Sequence, residues 1–399
     1  PGAGARRRLE ARVACPWPQV REEVSGSAML SVFSSPSRYV QGRGATAALG
    51  AEMVGLGLEG PVLVVAGRSA EALLGSAWAE SFRKAGLAHV VHRFGGESSR
   101  AEIARVNEAA RAAGARTIVG AGGGKAIDTG RASANEFGLG FVSCPSLASS
   151  DAPCSAVSVV YSEDGVVEQI RFLPRNPDLV VVDTEIVAKS PARFLVAGMG
   201  DAAATWFEAT ACSEARAANT RGGASTRSAL ALAELCWKTL VEDGEAALRA
   251  VRSQAVTPAL ERLVEANTLL SGLGFESAGL AAAHAIHNGL TDAPGTHGRL
   301  HGEKVSFGLC AQLALEGAPS ATVDEVLGFA TAVGLPVTLA EIGLADLDPA
   351  TLRRIAERSA QPGESIHNEP FDVEPAAVAD AILAADAAGR DWLARAGRR

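Results

Sequence analysis

The chain predicts two structural units, an α/β unit built on a doubly wound parallel sheet and then an all-α unit, and three features of the sequence predict them. From Ser31 to about Lys189, apolar runs of β type alternate with stretches of helical spacing, the pattern of a parallel sheet with helices on both faces. At 119–128 a strand run passes directly into a glycine-rich loop and a helical pattern. After about Ser190, convincing strand runs give way to Ala- and Leu-rich stretches with helical spacing. The expected units are residues 1–28, an N-terminal extension outside the fold and disordered, then 29–190 for the α/β unit and 191–399 for the helical one.

The elements follow in order. PVLVVAG (61–67) is an apolar, β-branched strand, and SAEALLGSAWAESFRKAG (69–86) has helical spacing and stops on glycine. HVVHRF (89–94) is a second strand and AEIARVNEAARAAG (101–114) a second helix. TIVGAGGG (117–124) is a strand running into a loop, KAIDTGRASANEFG (125–138) a third helix, and FVSCP (141–145) a further strand. AVSVVYSEDGVVEQIRFL (156–173) reads as a hairpin turned at Glu163-Asp164-Gly165, because Asp-Gly favours the turn that matches strand twist. LVVVDTEIV (179–187) is one more buried strand. GFESAGLAAAHAIHNGLT (274–291) begins as a helix, and His301 follows in a segment able to fold back on it.

Composition narrows the function. The 399 residues are 47% hydrophobic and 21% charged with a formal net charge of −8, which excludes disorder and a collagen-like chain. Basic residues are dispersed, so neither nucleic acid nor an anionic membrane is an expected partner, and no apolar run is long enough for a span. Six scattered cysteines without a C-x-x-C pair fit a reducing compartment and argue against a thiolate zinc site. A cytoplasmic location is expected. The Arg-rich stretch 1–28 lacks a secretory apolar region and leaves an organelle transit peptide as the alternative.

Scarce residues point to chemistry. Four of the seven histidines, His284, His287, His297 and His301, fall within one 18-residue window. His284 and His287, at i and i+3, lie near one helix face. Two imidazoles and a carboxylate form an open three-ligand set for a catalytic metal. Asp201, in AGMGDAAATWFEA (197–209), is the candidate carboxylate; behind two glycines it is equally an N-cap. One of only five lysines, Lys125, follows the glycines of VGAGGGKAID (119–128), a strand-to-helix junction suited to a phosphate. An ordinary βα turn is the other reading of that loop. SLASSDAPCSAVS (146–158) is a polar loop at a strand end, where Asp151 suits either a turn or a ligand and Ser146, Ser149 and Ser155 offer hydroxyls.

Together, SPSRYVQG (35–42), GAGGGKAIDT (120–129), SSDAPCSAVSVVYS (149–162), NPDLVVVDT (176–184), PARFLVAGMGDAAATWFEA (191–209), AVTPALERLVEANTLLSGLGFESAGLAAAHAIHNGLT (255–291), HGEKVSFG (301–308) and GESIHN (363–368) resemble the glycerol dehydrogenase branch of the metal-dependent, iron-containing type alcohol dehydrogenase family. The resemblance spans about residues 31–390. It implies a Rossmann-like dinucleotide-binding unit, a helical catalytic unit in a dehydroquinate synthase-like architecture, and an active site between them. It assigns one Zn²⁺ per subunit to Asp201, His284 and His301. It places the cofactor at Gly67, Gly124, Lys125 and Asp128, with Ser146, Ser149, Ser155, Val157 and Tyr161 along the nicotinamide half. Asp151 and His284 border a small polyol substrate and carry the catalytic roles. A homo-oligomer is implied as well.

Two departures matter. The loop between His284 and His301 is about one residue shorter than is typical of the family. Where NAD-using members have an aspartate for the adenosine ribose, this chain has Gly67-Arg68-Ser69. Losing the carboxylate removes repulsion against a 2′-phosphate and Arg68 accommodates one, so NADP(H) is expected to serve at least as well as NAD(H). The expected reaction is reversible oxidation of glycerol, or a similar vicinal diol, to dihydroxyacetone, with His287 either a proton relay or a satisfied helix histidine. A lyase of the dehydroquinate synthase type is the rival on the same fold, but it needs more cations than Arg299 and Lys304 near the metal. A non-catalytic nucleotide sensor is a third reading, disfavoured by the intact ligand set.

Overall fold

A computed structural model describes residues 29–163 and 167–397. The predicted extension 1–28 and the Asp164-Gly165 part of the hairpin turn lie outside the described residues. The first unit contains β1 (Tyr39–Gly42), α1 (Leu49–Gly55), β2 (Val62–Ala66), α2 (Arg68–Ala85), β3 (His89–Arg93), α3 (Arg100–Ala113), β4 (Thr117–Gly122), α4 (Gly124–Phe137), β5 (Gly140–Pro145), β6 (Val157–Tyr161), β7 (Val167–Phe172) and β8 (Leu179–Asp183). Six strands form one sheet in the order β1-β8-β5-β4-β2-β3, parallel at every pairing, while β6 and β7 pair antiparallel as expected of the hairpin.

Each local signal has a physical counterpart. β2, β4 and β8 are buried along their whole length, as central parallel strands covered on both faces must be. α3 opens where the Ser99 hydroxyl accepts from the Glu102 amide and ends on Gly114, whose φ of 57° is costly for any residue with a Cβ. The period-2 alternation of β8 divides its residues: Leu179 and Val181 pack with Leu49, Met53 and Trp78, whereas Val180 and Val182 enter the core of the helical unit. Buried apolar surface thus runs unbroken from the sheet into the helices.

Two expectations are corrected here, and one stretch left unassigned gains a strand. The strand expected over 179–187 stops at Asp183, whose carboxylate accepts from the amides of Gly44, Thr46 and Glu185 and so caps a short helix, α5 (Thr184–Ala188). The stretch 35–42, unassigned in the sequence, contributes the edge strand β1, which pairs with β8 residue by residue from Tyr39 to Gly42. The helical pattern of 274–291 is broken into two helices.

The second unit is α6 (Ala192–Ala215), α7 (Arg227–Arg252), α8 (Pro258–Glu265), a π turn over Ala266–Leu270, α9 (Ser271–Ala278), α10 (Ala282–Thr291), α11 (His301–Leu315), α12 (Ser320–Val333), α13 (Pro349–Ser359) and α14 (Pro375–Ala396). The break between α9 and α10 falls at Gly279, with φ 114°. Among the described residues no single helix is long and apolar enough to cross a membrane.

Candidate active site

Asp201 lies well inside α6 and is fully buried, so the N-cap reading fails. The helix continues through Gly198 and Gly200 because those positions touch other backbone: a Cβ at Gly198 would stand 2.0 Å from the Ala148 carbonyl oxygen, and one at Gly200 would stand 2.3 Å from that of Gly302. Gly302 returns the constraint, its Cβ position being 1.8 Å from the Ala197 carbonyl oxygen. Gly200 and Gly302 let α11 meet α6 closely, while Gly198 lets the Ala148 loop approach α6. His301, at the first position of α11 rather than in a loop, is thereby carried to Asp201.

α10 begins with His284 two residues behind its first position, and distant side chains take up the amides of its opening turn. Glu208 Oε1 accepts from the amides of Ala281 (2.9 Å) and His284 (3.0 Å), Glu369 from that of Ala282 (3.0 Å) and Gln312 from that of Ala283 (2.9 Å). These are the orphan donors of a helix N-terminus, satisfied without water. Ser365 and Asn368, from the GESIHN segment, hold the carbonyls of Ala281 and Leu280 at 2.7 and 2.8 Å. The broken helix is therefore fixed from both sides.

At the centre, Asp201 Oδ1 stands 3.0 Å from His301 Nε2 and 3.4 Å from His284 Nε2. One donor atom from each of the three residues lies within 4.8 Å of the others. Asp201 Oδ1 is buried and has no hydrogen-bond partner among the described residues. Donors bound at roughly 2.0–2.1 Å to one tetrahedral ion stand about 3.3 Å apart, so the observed spacing and the orphaned oxygen fit a divalent cation. Burial raises the Asp201 carboxyl, but the His301 and His284 imidazoles outweigh it and hold the group far below the usual range. Asp201 is therefore ionised, as a carboxylate that binds a cation must be.

Outer partners orient these ligands. His284 Nδ1 donates to Glu208 Oε2 at 2.6 Å, the carboxylate–histidine arrangement that fixes a metal-binding tautomer. His301 Nδ1 lies 2.9 Å from His287 Nε2, and His287 Nδ1 lies 3.2 Å from Asn288 Oδ1. If His301 presents Nε2 to an ion, its Nδ1–H donates to His287, which in turn donates to Asn288. Asn288 then donates to Glu364 (2.8 Å), which pairs with Arg358. His287 is thus an oriented neighbour of a ligand. His297 is exposed and lies outside this group despite belonging to the same sequence cluster.

Asp151 reaches the site from the sheet side. Its amide donates to Asp201 Oδ2 at 3.2 Å, and its carboxylate accepts from Ser271 at 2.8 Å. Burial and the adjacent Asp201 push its carboxyl well above the ordinary value, with His284 opposing them. The 146–155 loop connects this point to the glycine loop, since a Cβ on Gly124 would stand 3.9 Å from the Ser150 hydroxyl.

The order in which strands are added reverses between β2 and β4, with β3 on one side and β5 on the other, and ligands of such sheets bind at the carboxyl ends beside that point. Gly67 and Gly122 meet there: a Cβ on Gly122 would be 3.7 Å from the Gly67 amide nitrogen. Gly124 opens α4, and Lys125 pairs with Glu97 at 2.7 Å while lying over the Tyr161 ring at 4.7 Å. Ser146, Ser149, Val157 and Tyr161 are half-buried along this edge. Two predicted cofactor residues sit differently. Asp128 is buried in an ion pair with Arg131, its carboxyl pushed up to about 6 by burial. Ser155 is buried, and its hydroxyl closes a short turn on the Ala152 carbonyl at 3.1 Å. Glu208 and Ser271 were not found from the sequence; Glu208, two turns beyond Asp201, had a usable signal in its i+7 spacing, and Ser271 had none.

The iron-containing alcohol dehydrogenase family model matches residues 36–184. The chain is 49% identical to the glycolaldehyde reductase of Halobacterium salinarum, over 91% of this chain and 99% of that protein. It is 48% identical to the glycerol dehydrogenase of Escherichia coli, over 91% and 98% respectively. The crystal structure of glycerol dehydrogenase from Schizosaccharomyces pombe superposes with a TM-score of 0.89 at 34% identity, covering 93% of this chain and 94% of that one. With near-complete coverage of such relatives and a matching fold, the chain belongs to the iron-containing alcohol dehydrogenase family.

Proposed function

We propose that the protein is a metal-dependent dehydrogenase that reversibly oxidises a vicinal diol, glycerol foremost, to the corresponding hydroxyketone, dihydroxyacetone, with NAD(P)⁺ as acceptor. The observation that carries this reading is the orphaned Asp201 Oδ1 facing two histidine nitrogens, with Asp151 beside it. Asp201, His284 and His301 would hold the ion, and Zn²⁺ suits two imidazoles and a carboxylate. When bound, such a cation supplies the Lewis acidity that makes an alcohol acidic near neutral pH, and the nicotinamide accepts the hydrogen with its electron pair.

The chain's own groups do the positioning. Asp151, anchored by Ser271, is placed to take the hydroxyl neighbouring the reacting carbon, which fixes that carbon's orientation. His287, joined to His301 Nδ1 and held in turn by Asn288, fixes the direction in which His301 presents Nε2. Gly67 and Gly124 leave backbone open for a dinucleotide, and Arg68 and Ser69 are exposed at the end of β2, where a 2′-phosphate would lie. The Halobacterium relative's printed activity keeps glycolaldehyde among the substrates to be tried.

Initial rates with glycerol, propane-1,2-diol, butane-2,3-diol, dihydroxyacetone and glycolaldehyde, each with both cofactors, test the proposal before and after chelation. Glycerol oxidation that disappears on chelation and returns with Zn²⁺ is the expected result. An ion-free protein that oxidises glycerol equally fast refutes the scheme, and a strong preference for NAD⁺ in kcat/KM refutes the NADP(H) part.

A further inference from the structure

Thr205 lies one helical turn beyond Asp201 on α6 and is fully buried, and its hydroxyl meets that of Ser271, the first residue of α9, at 2.8 Å. Other threonines in these helices bond back along their own helix, Thr210 to the Trp206 carbonyl at 2.9 Å and Thr239 to that of Leu235 at 2.8 Å. Thr205 reaches across to a second helix instead. Ser271 spends its one O–H on Asp151 Oδ2 at 2.8 Å, so toward Thr205 its oxygen accepts. The two bonds run in one direction, Thr205 to Ser271 to Asp151. Close packing brings the three together: a Cβ at Gly274 would stand 2.6 Å from Thr205 Cγ2, and one at Gly272 would stand 3.0 Å from the Asp151 carbonyl oxygen. Asp151 is thus tied to α6 twice, by its amide on Asp201 Oδ2 at 3.2 Å and by its side chain through Ser271.

A carboxylate that takes one hydroxyl of a small polyol needs a fixed direction, because so small a ligand makes few other contacts to correct its pose. Ser271 alone supplies that direction weakly, since a serine hydroxyl in a helix can turn to a carbonyl of its own helix. A bond received from Thr205 holds the serine oxygen where it meets Asp151. We propose that Thr205 is a positioning residue which, from the helix of the candidate ligand Asp201, locks Ser271 and through it the direction in which Asp151 meets a polyol hydroxyl. The inference rests on the reading that Asp151 takes a substrate hydroxyl. It adds that one helix, α6, sets both the ion's carboxylate and the substrate's, so that the reacting oxygen and its neighbour are aligned together.

Thr205→Val keeps the shape and removes the hydroxyl, whereas Thr205→Ser keeps the hydroxyl and removes the methyl group. Initial rates of glycerol oxidation by the Zn²⁺-loaded protein, with the cofactor the unmutated protein prefers, test the proposal. Calorimetry gives the affinity for that cofactor's reduced form, and chelator competition that for Zn²⁺. Thr205→Val is expected to lower kcat/KM for glycerol about 10-fold and Thr205→Ser by no more than about 2-fold, with both affinities within about 2-fold of the unmutated protein. Ser271→Ala cuts the same route from α9 and is expected to match Thr205→Val; thermal unfolding checks that all are folded, and Ser271→Ala decides should Thr205→Val fail to fold. An unchanged kcat/KM in the folded hydroxyl-deletion variants overturns the inference. So does an equal loss in Thr205→Ser, which would make Thr205 a packing contact, or a loss of Zn²⁺ affinity as large as that of kcat/KM. An unmutated Zn²⁺-loaded protein that oxidises no polyol overturns the reading of Asp151, and the inference with it.

Discussion

Glu208 holds His284 at two points, through the backbone amide and through the ring, and it does so from the helix that carries Asp201. A carboxylate on Nδ1–H raises the basicity of Nε2 and fixes the ring's direction. Glu208→Gln keeps the size and one acceptor but removes the charge. It is expected to weaken the ion's affinity about 10–100-fold, measured by competition with a chromophoric chelator; unchanged affinity would show that Glu208 serves only the helix N-terminus. Burial makes that carboxylate more than a surface acid, and the sequence concealed the fact. Acids are common in helices, and an i+7 spacing from Asp201 becomes informative only once His284 is known to arrive from another helix.

Between α6 and α11 the decisive side chains are absent ones. Gly200 and Gly302 bring the two backbones together, and the helices could not otherwise deliver Asp201 and His301 to one point. Gly302→Ala places a methyl group 1.8 Å from a carbonyl oxygen, so the helices must separate. Overpacking of this kind costs about 1–3 kcal/mol or more. The expected result is a lower Tm together with weaker ion binding. Gly75→Ala in α2, where nothing lies within 4 Å of the new Cβ, is the control and is expected to be neutral or stabilising, by roughly 0.5–1 kcal/mol at most. The sequence motifs GMGD and HGEK contained these glycines. Their role was legible only after the two segments had been packed.

Across the molecule the candidate ion ligands all lie in the helical unit, on α6, α10 and α11, whereas Gly67, Gly124 and Lys125 lie at the carboxyl edge of the sheet. Chelation should therefore lower Tm without abolishing NADH binding. An ion at 100 times its dissociation constant stabilises by about 2.7 kcal/mol. At about 2–4 °C per kcal/mol for domains of 150–250 residues, the loss is expected to be several degrees and to be reversed by Zn²⁺. Scanning fluorimetry with and without chelator checks it; an unchanged Tm would mean that no ion joins these helices. The sequence by itself determined the strand–helix alternation, the helical second half and the identities of the site's rare residues, because hydrophobic period, Gly and Asp capping signals and scarcity are properties of local composition. Tertiary structure decided that Asp201 is a buried carboxylate inside a helix, with one oxygen unpartnered, rather than a cap, and that Gly279 breaks an otherwise helical run ahead of His284. Each depends on groups tens to hundreds of residues away in the chain, such as Glu208, Gln312 and Glu369 around the start of α10, and no local pattern records which of them will meet.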